Sequence, residues 1–329
     1  MLRSVSVPRR VVAALACGLL VAAGLAGCGG DSGKKDDGKI TLGFAQVGAE
    51  SGWRTANTKS IQESAKAAGI TLKFSDAQQK QENQIKAIRS YIAQKVDVIA
   101  FSPVVVSGWD TVLKEAKDAK IPVILTDRAI DSKDTSLYKS FLGSDFVVEG
   151  NKAGQWLVND SKTAKGPVNV IQLEGTTGSA PAIDRTKGFA DTIKADPKIK
   201  VVASQDGDFT RAGGKSVMEA LLKAHPDANV LFAQNDDMGL GALDAIKAAG
   251  KKPGVDIKII TIDAVKDGLT ALSNGEFNYV VECSPLLGPQ LMNLVKKVVK
   301  GESIPKRILT VETTFDKAQA TAALPTRKY

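Results

Sequence analysis

Short apolar runs alternate with longer amphipathic stretches from Lys39 onward, and the whole pattern occurs twice. Each apolar run is nearly continuous, as is typical of a strand buried on both faces of a parallel sheet. The first series predicts strands at Ile40–Ala45, Thr71–Ser75, Val98–Phe101 and Val123–Thr126. The second predicts strands at Asn169–Leu173, Lys200–Ser204, Val230–Ala233 and Ile257–Thr261. Strand–helix alternation at this spacing predicts an α/β fold with two doubly wound parallel-sheet lobes.

The amphipathic stretches between the strands predict helices. In the first series these are Trp53–Ala68, Gln81–Gln94 and Ser107–Ala119. In the second they are Ala180–Ala195, Ala212–Ala224, Asp237–Ala249 and Val265–Ser273. After both series the sequence predicts a strand, a helix and a last strand, at Asn278–Glu282, Gly288–Lys300 and Leu309–Glu312.

This additional chain is long enough to return to the first lobe. We therefore expect a multi-strand hinge between the lobes. The expected first lobe contains residues 39–143 plus about 283–308, and the second contains residues 144–282 plus about 309–329.

The first 27 residues have the composition of a secretory signal peptide, with three arginines before the uncharged stretch Val11–Ala26. That stretch is interrupted by glycines and is short for a membrane-spanning helix, which needs roughly 20 apolar residues. The string Leu-Ala-Gly-Cys that ends at Cys28 resembles the lipobox of bacterial lipoproteins, which implies that Cys28 is lipidated; an ordinary cleaved signal is the alternative. Residues 28–38 are rich in glycine and charge and predict a flexible tether. We expect an extracytoplasmic protein that is lipid-anchored to the cell membrane.

Composition excludes several functional classes. The net charge of +8 includes the three arginines of the signal, and no basic stripe interleaved with aromatic residues predicts nucleic-acid binding. Of the three cysteines only Cys283 lies in the folded body, so no intramolecular disulfide is expected. His225 is the only histidine, and its neighbours predict neither a catalytic triad nor a zinc site. We expect no metal and no cofactor.

Polar residues follow the predicted strands, at the edge where open α/β sheets bind ligands. Asp127 and Arg128 come directly after the fourth strand. A carboxylate accepts, and a guanidinium donates, the hydrogen bonds that neighbouring hydroxyls on a small ring require; a surface ion pair is the alternative. Trp53 and Arg54 follow the first strand, where the indole either stacks on the C–H face of a sugar or fills the core. Phe209 is a candidate for the opposite aromatic wall.

The second series places polar residues at the same kind of edge. Asn235 follows the strand Val230–Ala233, and Asp263 follows Ile257–Thr261. Arg185 lies in the first turns of a predicted helix, where it either reaches a ligand or stays solvated. With polar groups at one sheet edge in both lobes, the sequence predicts a ligand cleft between them.

Several strings, spread over nearly the whole mature chain, resemble periplasmic sugar-binding proteins of the ribose and galactofuranose type. They are GFAQVG from Gly43, SGWR from Ser51, QQKQENQI from Gln78, GW from Gly108, TDR from Thr126, IDR from Ile183, GDFTR from Gly207, NDDM from Asn235, Asp263, and VE from Val281. The galactofuranose-binding branch matches best. Trp53 and Arg54 stand where ribose-type proteins carry two phenylalanines, and Glu282 stands where they carry a glutamine.

The resemblance implies a type I periplasmic binding protein fold with a sugar held between the lobes. The implied ligand contacts come from both lobes and from the hinge region. They are Trp53, Arg54, Asp127, Arg128, Arg185, Phe209, Asn235, Asp263 and Glu282.

The implied function is that of the solute-binding protein of an ABC sugar importer. Such a protein would bind a monosaccharide, galactofuranose or a related furanose or pentose, by hinge closure and deliver it to an ABC permease of the cytoplasmic membrane. We expect a monomer that is not an enzyme. Two alternatives remain open: a sensor that presents sugar to a membrane receptor, and a glycosidase that uses Asp127 and Asp263 as its carboxylate pair.

Overall fold

The computed structural model describes residues 38–329, of which Lys39–Tyr329 form one compact unit. The predicted signal peptide, Cys28 and all but the last residue of the predicted tether lie outside the described residues. Within the described range, no helix is both long and apolar enough to cross a membrane.

The described strands form two six-stranded sheets. In chain order they are β1 (Thr41–Gln46), β2 (Thr71–Asp76), β3 (Val98–Phe101), β4 (Val123–Thr126), β5 (Ser140–Gly143), β6 (Val168–Glu174), β7 (Ile199–Asp206), β8 (Val230–Ala233), β9 (Lys258–Asp263), β10 (Tyr279–Glu282), β11 (Arg307–Leu309) and β12 (Thr314–Phe315). The first sheet has the order β11-β5-β4-β3-β1-β2 and is parallel throughout. The second has the order β12-β10-β9-β8-β6-β7, with only β12 antiparallel to its neighbour.

Helices cover both faces of each sheet. They are α1 (Gly52–Ala68), α2 (Gln81–Ala93), α3 (Asp110–Asp118), α4 (Phe146–Ser161), α5 (Ala180–Ile193), α6 (Arg211–Ala224), α7 (Asp236–Ala248), α8 (Lys266–Asn274), α9 (Gly288–Val299) and α10 (Lys317–Ala323). Several begin at a side chain that accepts a backbone N–H of the first turn, as Ser51 does for α1 and Asn235 for α7. On either face of each sheet, the buried apolar side chains of the described chain form a separate cluster.

The chain passes between the two sheets at three places in the described range. The first crossing is residues 144–145, between β5 and α4, and the second is residues 283–287, between β10 and α9. The third is residues 310–313, between β11 and β12. Two doubly wound parallel-sheet lobes joined by several segments were the predicted fold class, and that prediction is confirmed. The predicted lobe limits stay a prediction.

Several elements differ from the sequence analysis. β5 and α4 were not predicted: β5 has only four residues, and α4 contains Gly150 and Gly154, which weaken a helical pattern. These glycines let α4 pack closely on α5, since a Cβ at Gly150 would lie 2.3 Å from the carbonyl oxygen of Arg185. The predicted strand Leu309–Glu312 was wrong, because this stretch spans the third crossing and the pairing residues lie on either side of it.

Candidate functional site

A cavity lies where the carboxyl ends of the two sheets face each other. It is lined by Glu50, Ser51, Trp53, Arg54, Asp127, Arg128, Phe146, Pro181, Arg185, Phe209, Asn235, Asp263 and Cys283. Eight of the nine predicted ligand contacts are therefore brought together, from both lobes.

In the first lobe, Arg54 organises a buried network of charges. Its Nη2 donates to Asp127 Oδ2 at 2.7 Å, and its Nε donates to Glu50 Oε1 at 3.0 Å. Ser102 Oγ also donates to Asp127 Oδ2, at 2.9 Å. Arg54 is 2% exposed and Asp127 4% exposed, so water does not screen this network.

Arg128 presents a cation to the cavity with little of its hydrogen-bonding capacity used. Its Nη1 donates to the backbone oxygen of Val104 at 3.1 Å, while its nearest carboxylate oxygens, on Asp127 and Glu50, are 3.8 and 3.9 Å away. Burial, reinforced by the positive charge of Arg54, lowers the pKa of Arg128 to about 10. Arg128 therefore stays charged at neutral pH and has donor capacity left for a ligand.

In the second lobe, Arg185 has a comparable position. Its Nε donates to Glu149 Oε2 at 2.7 Å, and its Nη1 donates to the backbone oxygen of Gln234 at 2.6 Å. Asp263 Oδ1 is 3.9 Å from its Nη2. Burial raises the pKa of Asp263 well above its usual value, although the charge of Arg185 opposes the shift. Asp263 therefore lies beside a cation that is already strongly held by other groups.

Aromatic rings close the cavity. The indole Nε1 of Trp53 donates to the backbone oxygen of Cys283 at 2.7 Å, which fixes the ring against the second crossing. The ring of Phe209 lies 5.3 Å from the guanidinium carbon of Arg128 in the other lobe. Phe146 is a third ring, 5.0 Å from the guanidinium of Arg185.

Asn235 lines the cavity, but its polar atoms are already occupied. Its Oδ1 accepts from the backbone N–H of Met238, and its Nδ2 donates to the backbone oxygen of Phe209 at 3.0 Å. Asn235 thus caps α7 and holds the Phe209 loop in place.

Glu282, the ninth predicted contact, lies outside the cavity lining. Its Oε1 accepts from Arg327 Nη1 at 2.8 Å and from the Tyr329 hydroxyl at 3.0 Å, and its Oε2 accepts from the backbone of Thr313. These contacts hold the C-terminal residues and the third crossing, so we leave Glu282 out of the candidate contacts.

Sequence reasoning did not single out several lining residues, notably Glu50, Phe146 and Cys283. Glu50 lies in the loop after β1 that was expected to face the cleft, and its charge in that loop was an available signal. Phe146 is the first residue of α4, the helix that was not predicted.

Three polar atoms of the lining are buried without a hydrogen-bond partner in the described structure: Glu50 Oε2, Arg128 Nε and Asp263 Oδ2. Buried polar groups in native proteins are nearly always hydrogen-bonded. Two carboxylate oxygens and one guanidinium nitrogen, contributed by both lobes, therefore form a site for a molecule that both donates and accepts hydrogen bonds.

The lobes contact each other around this cavity. The backbone N–H of Gly52 donates to Asp237 Oδ2 at 2.8 Å, and that of Val106 donates to the carbonyl oxygen of Gly178 at 2.9 Å. These contacts join opposite lobes, so the structure is that of a closed cleft.

One group of side chains in the described residues is arranged closely enough to hold a cation. Ligand atoms of Glu149, Cys283 and Glu312 lie within 4.8 Å of one another. Arg185 already binds one oxygen of Glu149, and burial raises the pKa of the Cys283 thiol well above its usual value. Neither property favours a metal ion, and the expectation of no metal stays a prediction.

Known proteins share this architecture. The galactofuranose-binding protein YtfQ of Escherichia coli (strain K12) is 49% identical over 84% of this chain and 87% of its own length. A crystal structure from Mycobacterium smegmatis in complex with β-D-fucofuranose has a TM-score of 0.87 and 64% identity, covering 88% of this chain and 95% of that one. The binding protein of the arabinose ABC transporter from Shewanella sp. ANA-3, bound to α- and β-L-arabinofuranose, has a TM-score of 0.84 and 48% identity, covering 88% and 96%.

A family model described as a periplasmic binding protein domain matches residues 42–303, which is most of the chain. The resemblance drawn from the sequence strings is thereby confirmed: the chain belongs to the periplasmic binding protein family.

Proposed function

We propose that this protein is the extracytoplasmic solute-binding protein of an ABC sugar importer and that it holds a monosaccharide in its furanose form. Three similar proteins support this proposal through their names: one binds galactofuranose, one was solved with β-D-fucofuranose, and one serves an arabinose ABC transporter. A five-membered sugar ring is the chemistry that all three share.

The observation that carries the proposal is the set of unpartnered buried atoms on the cavity wall. Glu50 Oε2 and Asp263 Oδ2 accept, and Arg128 Nε donates. A sugar hydroxyl both donates and accepts, so adjacent hydroxyls can satisfy the two carboxylates and the guanidinium together. Leaving such groups unpaired is unfavourable, and the site should therefore discriminate against analogues that lack a hydroxyl.

The aromatic walls suit the rest of a sugar ring. Trp53, Phe146 and Phe209 present apolar faces between the charged groups. The C–H faces of a sugar can pack on these rings while its hydroxyls point to the charged side chains.

The proposed role is binding without catalysis. A glycosidase needs one carboxyl group to transfer a proton and another to act as base or nucleophile. Asp127 Oδ2 instead accepts hydrogen bonds from both Arg54 and Ser102, which suits a fixed acceptor.

The cellular arrangement is part of the proposal. The lobes comprise residues 39–143 plus about 283–308, and 144–282 plus about 309–329; they close on the sugar by hinge motion and present it to a membrane permease. A monomer, held to the membrane through lipid on Cys28 and the tether of residues 28–38, performs this task.

A thermal-shift titration of the chain from Gly29 onward tests the proposal. The panel contains D-galactose, D-fucose, L-arabinose, D-ribose and D-fructose. A ligand at a hundredfold excess over its dissociation constant stabilises the native state by about 2.7 kcal/mol, which raises the Tm by on the order of 5 °C for a chain of this size.

We expect a shift with one or two of these sugars. The variant Asp127→Ala should lose the shift, and the matched control Asp118→Ala, which changes an exposed aspartate of the same lobe, should keep it. No shift with any sugar of the panel would contradict the sugar-binding proposal.

A further inference from the structure

The three crossings between the lobes meet at a single carboxylate oxygen. Oε1 of Glu312, in the third crossing, accepts from the Ser144 hydroxyl of the first crossing at 2.5 Å. It also accepts from the backbone N–H of Ser284, in the second crossing, at 2.9 Å, and from the Thr310 hydroxyl at 2.8 Å. One atom therefore connects all three segments through which the lobes are joined.

The same residue is held from a second side. Lys152 of α4 donates from its Nζ to the backbone oxygen of Glu312 at 3.0 Å. Hinge motion changes the backbone torsions of a few residues in the connecting segments. Because the donors to Glu312 belong to different segments, we expect such a motion to alter their distances to Glu312.

A short path connects Glu312 with the ligand cavity. Glu149 lies near the start of α4, just after the first crossing, and is 1% exposed. Its Oε2 accepts a hydrogen bond from Arg185, which lines the cavity. A carboxylate oxygen of Glu149, a carboxylate oxygen of Glu312 and the Sγ atom of Cys283 lie within 4.8 Å of one another.

The two carboxyl groups on this path, of Glu149 and Glu312, affect each other's ionisation. Two carboxylates so close together in a buried place disfavour double ionisation. Burial raises the pKa of Glu149 to about 8. The positive charge of Arg185 opposes this rise, and the nearby carboxylate of Glu312 adds to it. The raised pKa of Glu149 favours its protonated form, while Glu312 remains the acceptor for the donors of the three crossings.

We propose that Glu312 is a positioning residue for ligand capture: its carboxylate stabilises the closed arrangement of the three crossings, and Glu149 extends that arrangement to Arg185. Glu312 does not line the cavity, so it acts on the population of the closed form and not on the choice of sugar. The inference rests on the proposed sugar-binding function, because affinity is its main readout. The observed dissociation constant equals the intrinsic dissociation constant divided by the fraction of the protein that is in the binding-competent conformation.

The test compares Glu312→Ala, Glu312→Gln and the unchanged chain by calorimetric titration with two sugars of different affinity. We expect Glu312→Ala to weaken both about tenfold or more while the ratio of the two affinities stays constant. Glu312→Gln, which keeps an acceptor oxygen, should recover part of the loss. Glu302→Ala, an exposed glutamate in the loop before β11, is the matched control and should bind normally.

Small-angle scattering of the same variants without sugar separates this inference from the proposed function. Glu312→Ala should have a larger radius of gyration than the unchanged chain, and this readout needs no ligand. If the unchanged chain binds no sugar, the proposed function fails while the scattering still tests the hinge. Unchanged affinity in a folded Glu312→Ala, an altered ratio between the sugars, or an unchanged radius of gyration would each overturn the inference.

Discussion

Three residues of the cavity lining have strained backbone conformations. Asp127 and Phe209 have φ angles of 61° and 58°, and Asp263 has a φ of 129°. Non-glycine residues in such conformations cost on the order of 1–3 kcal/mol each and persist only where the surrounding structure determines them. For Asp127 that determinant is visible, since its N–H donates to the carbonyl oxygen of Leu142 at 2.7 Å. The strained residues Asp127, Phe209 and Asp263 all line the cavity.

The position of the Phe209 ring depends on a neighbouring glycine. A Cβ added at Gly175 would lie 1.8 Å from the ring atom Cζ, so Gly175→Ala must displace the ring. Overpacking of this kind costs about 1–3 kcal/mol, and we expect sugar affinity to fall about tenfold. Calorimetric titration measures the affinity, and thermal unfolding should stay cooperative.

Gly166→Ala is the matched control, because nothing lies within 4 Å of a Cβ at that position. Equal affinity in Gly175→Ala and the unchanged chain would remove the Phe209 ring from the ligand's surroundings.

At the scale of single residues, the sequence indicated most of the cavity lining, because the position of a residue at the end of a strand can be predicted locally. Contacts with residues far away in the sequence cannot be predicted in this way. Asp127, Arg128 and Asp263 directly follow or end apolar strands, so the parallel topology alone places them at one edge. Glu282 also ends a strand, but its partners Arg327 and Tyr329 lie more than 40 residues away in sequence. No local pattern shows that contact, which takes the carboxylate away from the cavity.

Individual elements were predictable where their sequence pattern is local. β3, β4 and β8 have the predicted bounds, because each is an uninterrupted apolar run between polar segments. Helix α4 was not predictable from its sequence. Its close packing on α5 requires glycines at positions where a helical pattern would show larger residues. Tertiary packing decides such a helix, and a single sequence does not display it.

Two helices from opposite lobes meet at their N-termini, and this contact gives a prediction. Asp237, in the first turn of α7, accepts from the N–H of Gly52, the first residue of α1. The carboxylate also stands at the positive end of the α1 dipole. Hydrogen bonds to charged groups contribute about 1.5–3 kcal/mol, so Asp237→Ala should weaken sugar binding about tenfold or more. Asp237 does not line the cavity, and the loss would therefore report on closure.

Fluorescence or calorimetric titration measures this effect. Asp244→Ala changes an exposed aspartate of the same helix, whose nearest cation, Lys215, is 3.9 Å away, and should bind normally. If Asp237→Ala binds as tightly as Asp244→Ala, the contact between the helices does not contribute to closure.

Buried acids make the stability of the whole molecule depend on pH. Burial raises the pKa of Asp236 from 3.8 to about 7 and that of Glu149 from 4.5 to about 8. An acid whose folded pKa exceeds its unfolded value binds more protons in the native state, so the free energy of unfolding falls as the pH rises between the two values. We expect a lower urea midpoint for the ligand-free chain at pH 8 than at pH 5.5.

Asp236→Asn isolates one source of this dependence. Asp236 accepts from the Thr261 hydroxyl at 2.5 Å and from the Val265 N–H at 2.8 Å, and an amide can form both hydrogen bonds because the hydroxyl can also accept. The difference between the two midpoints should become smaller in this variant. A midpoint that rises with pH, or an unaltered difference in Asp236→Asn, would contradict the assignment.

The cavity wall carries ionisable groups of both signs, and this restricts the cargo. Three guanidinium groups, of Arg54, Arg128 and Arg185, share the wall with three carboxyl groups, of Glu50, Asp127 and Asp263. A sugar phosphate, a uronic acid or an amino sugar would bring an additional charge into the cavity, and burying a charge that is not fully paired is strongly unfavourable. We therefore expect the cleft to admit an uncharged sugar and to exclude the phosphate ester of the same sugar.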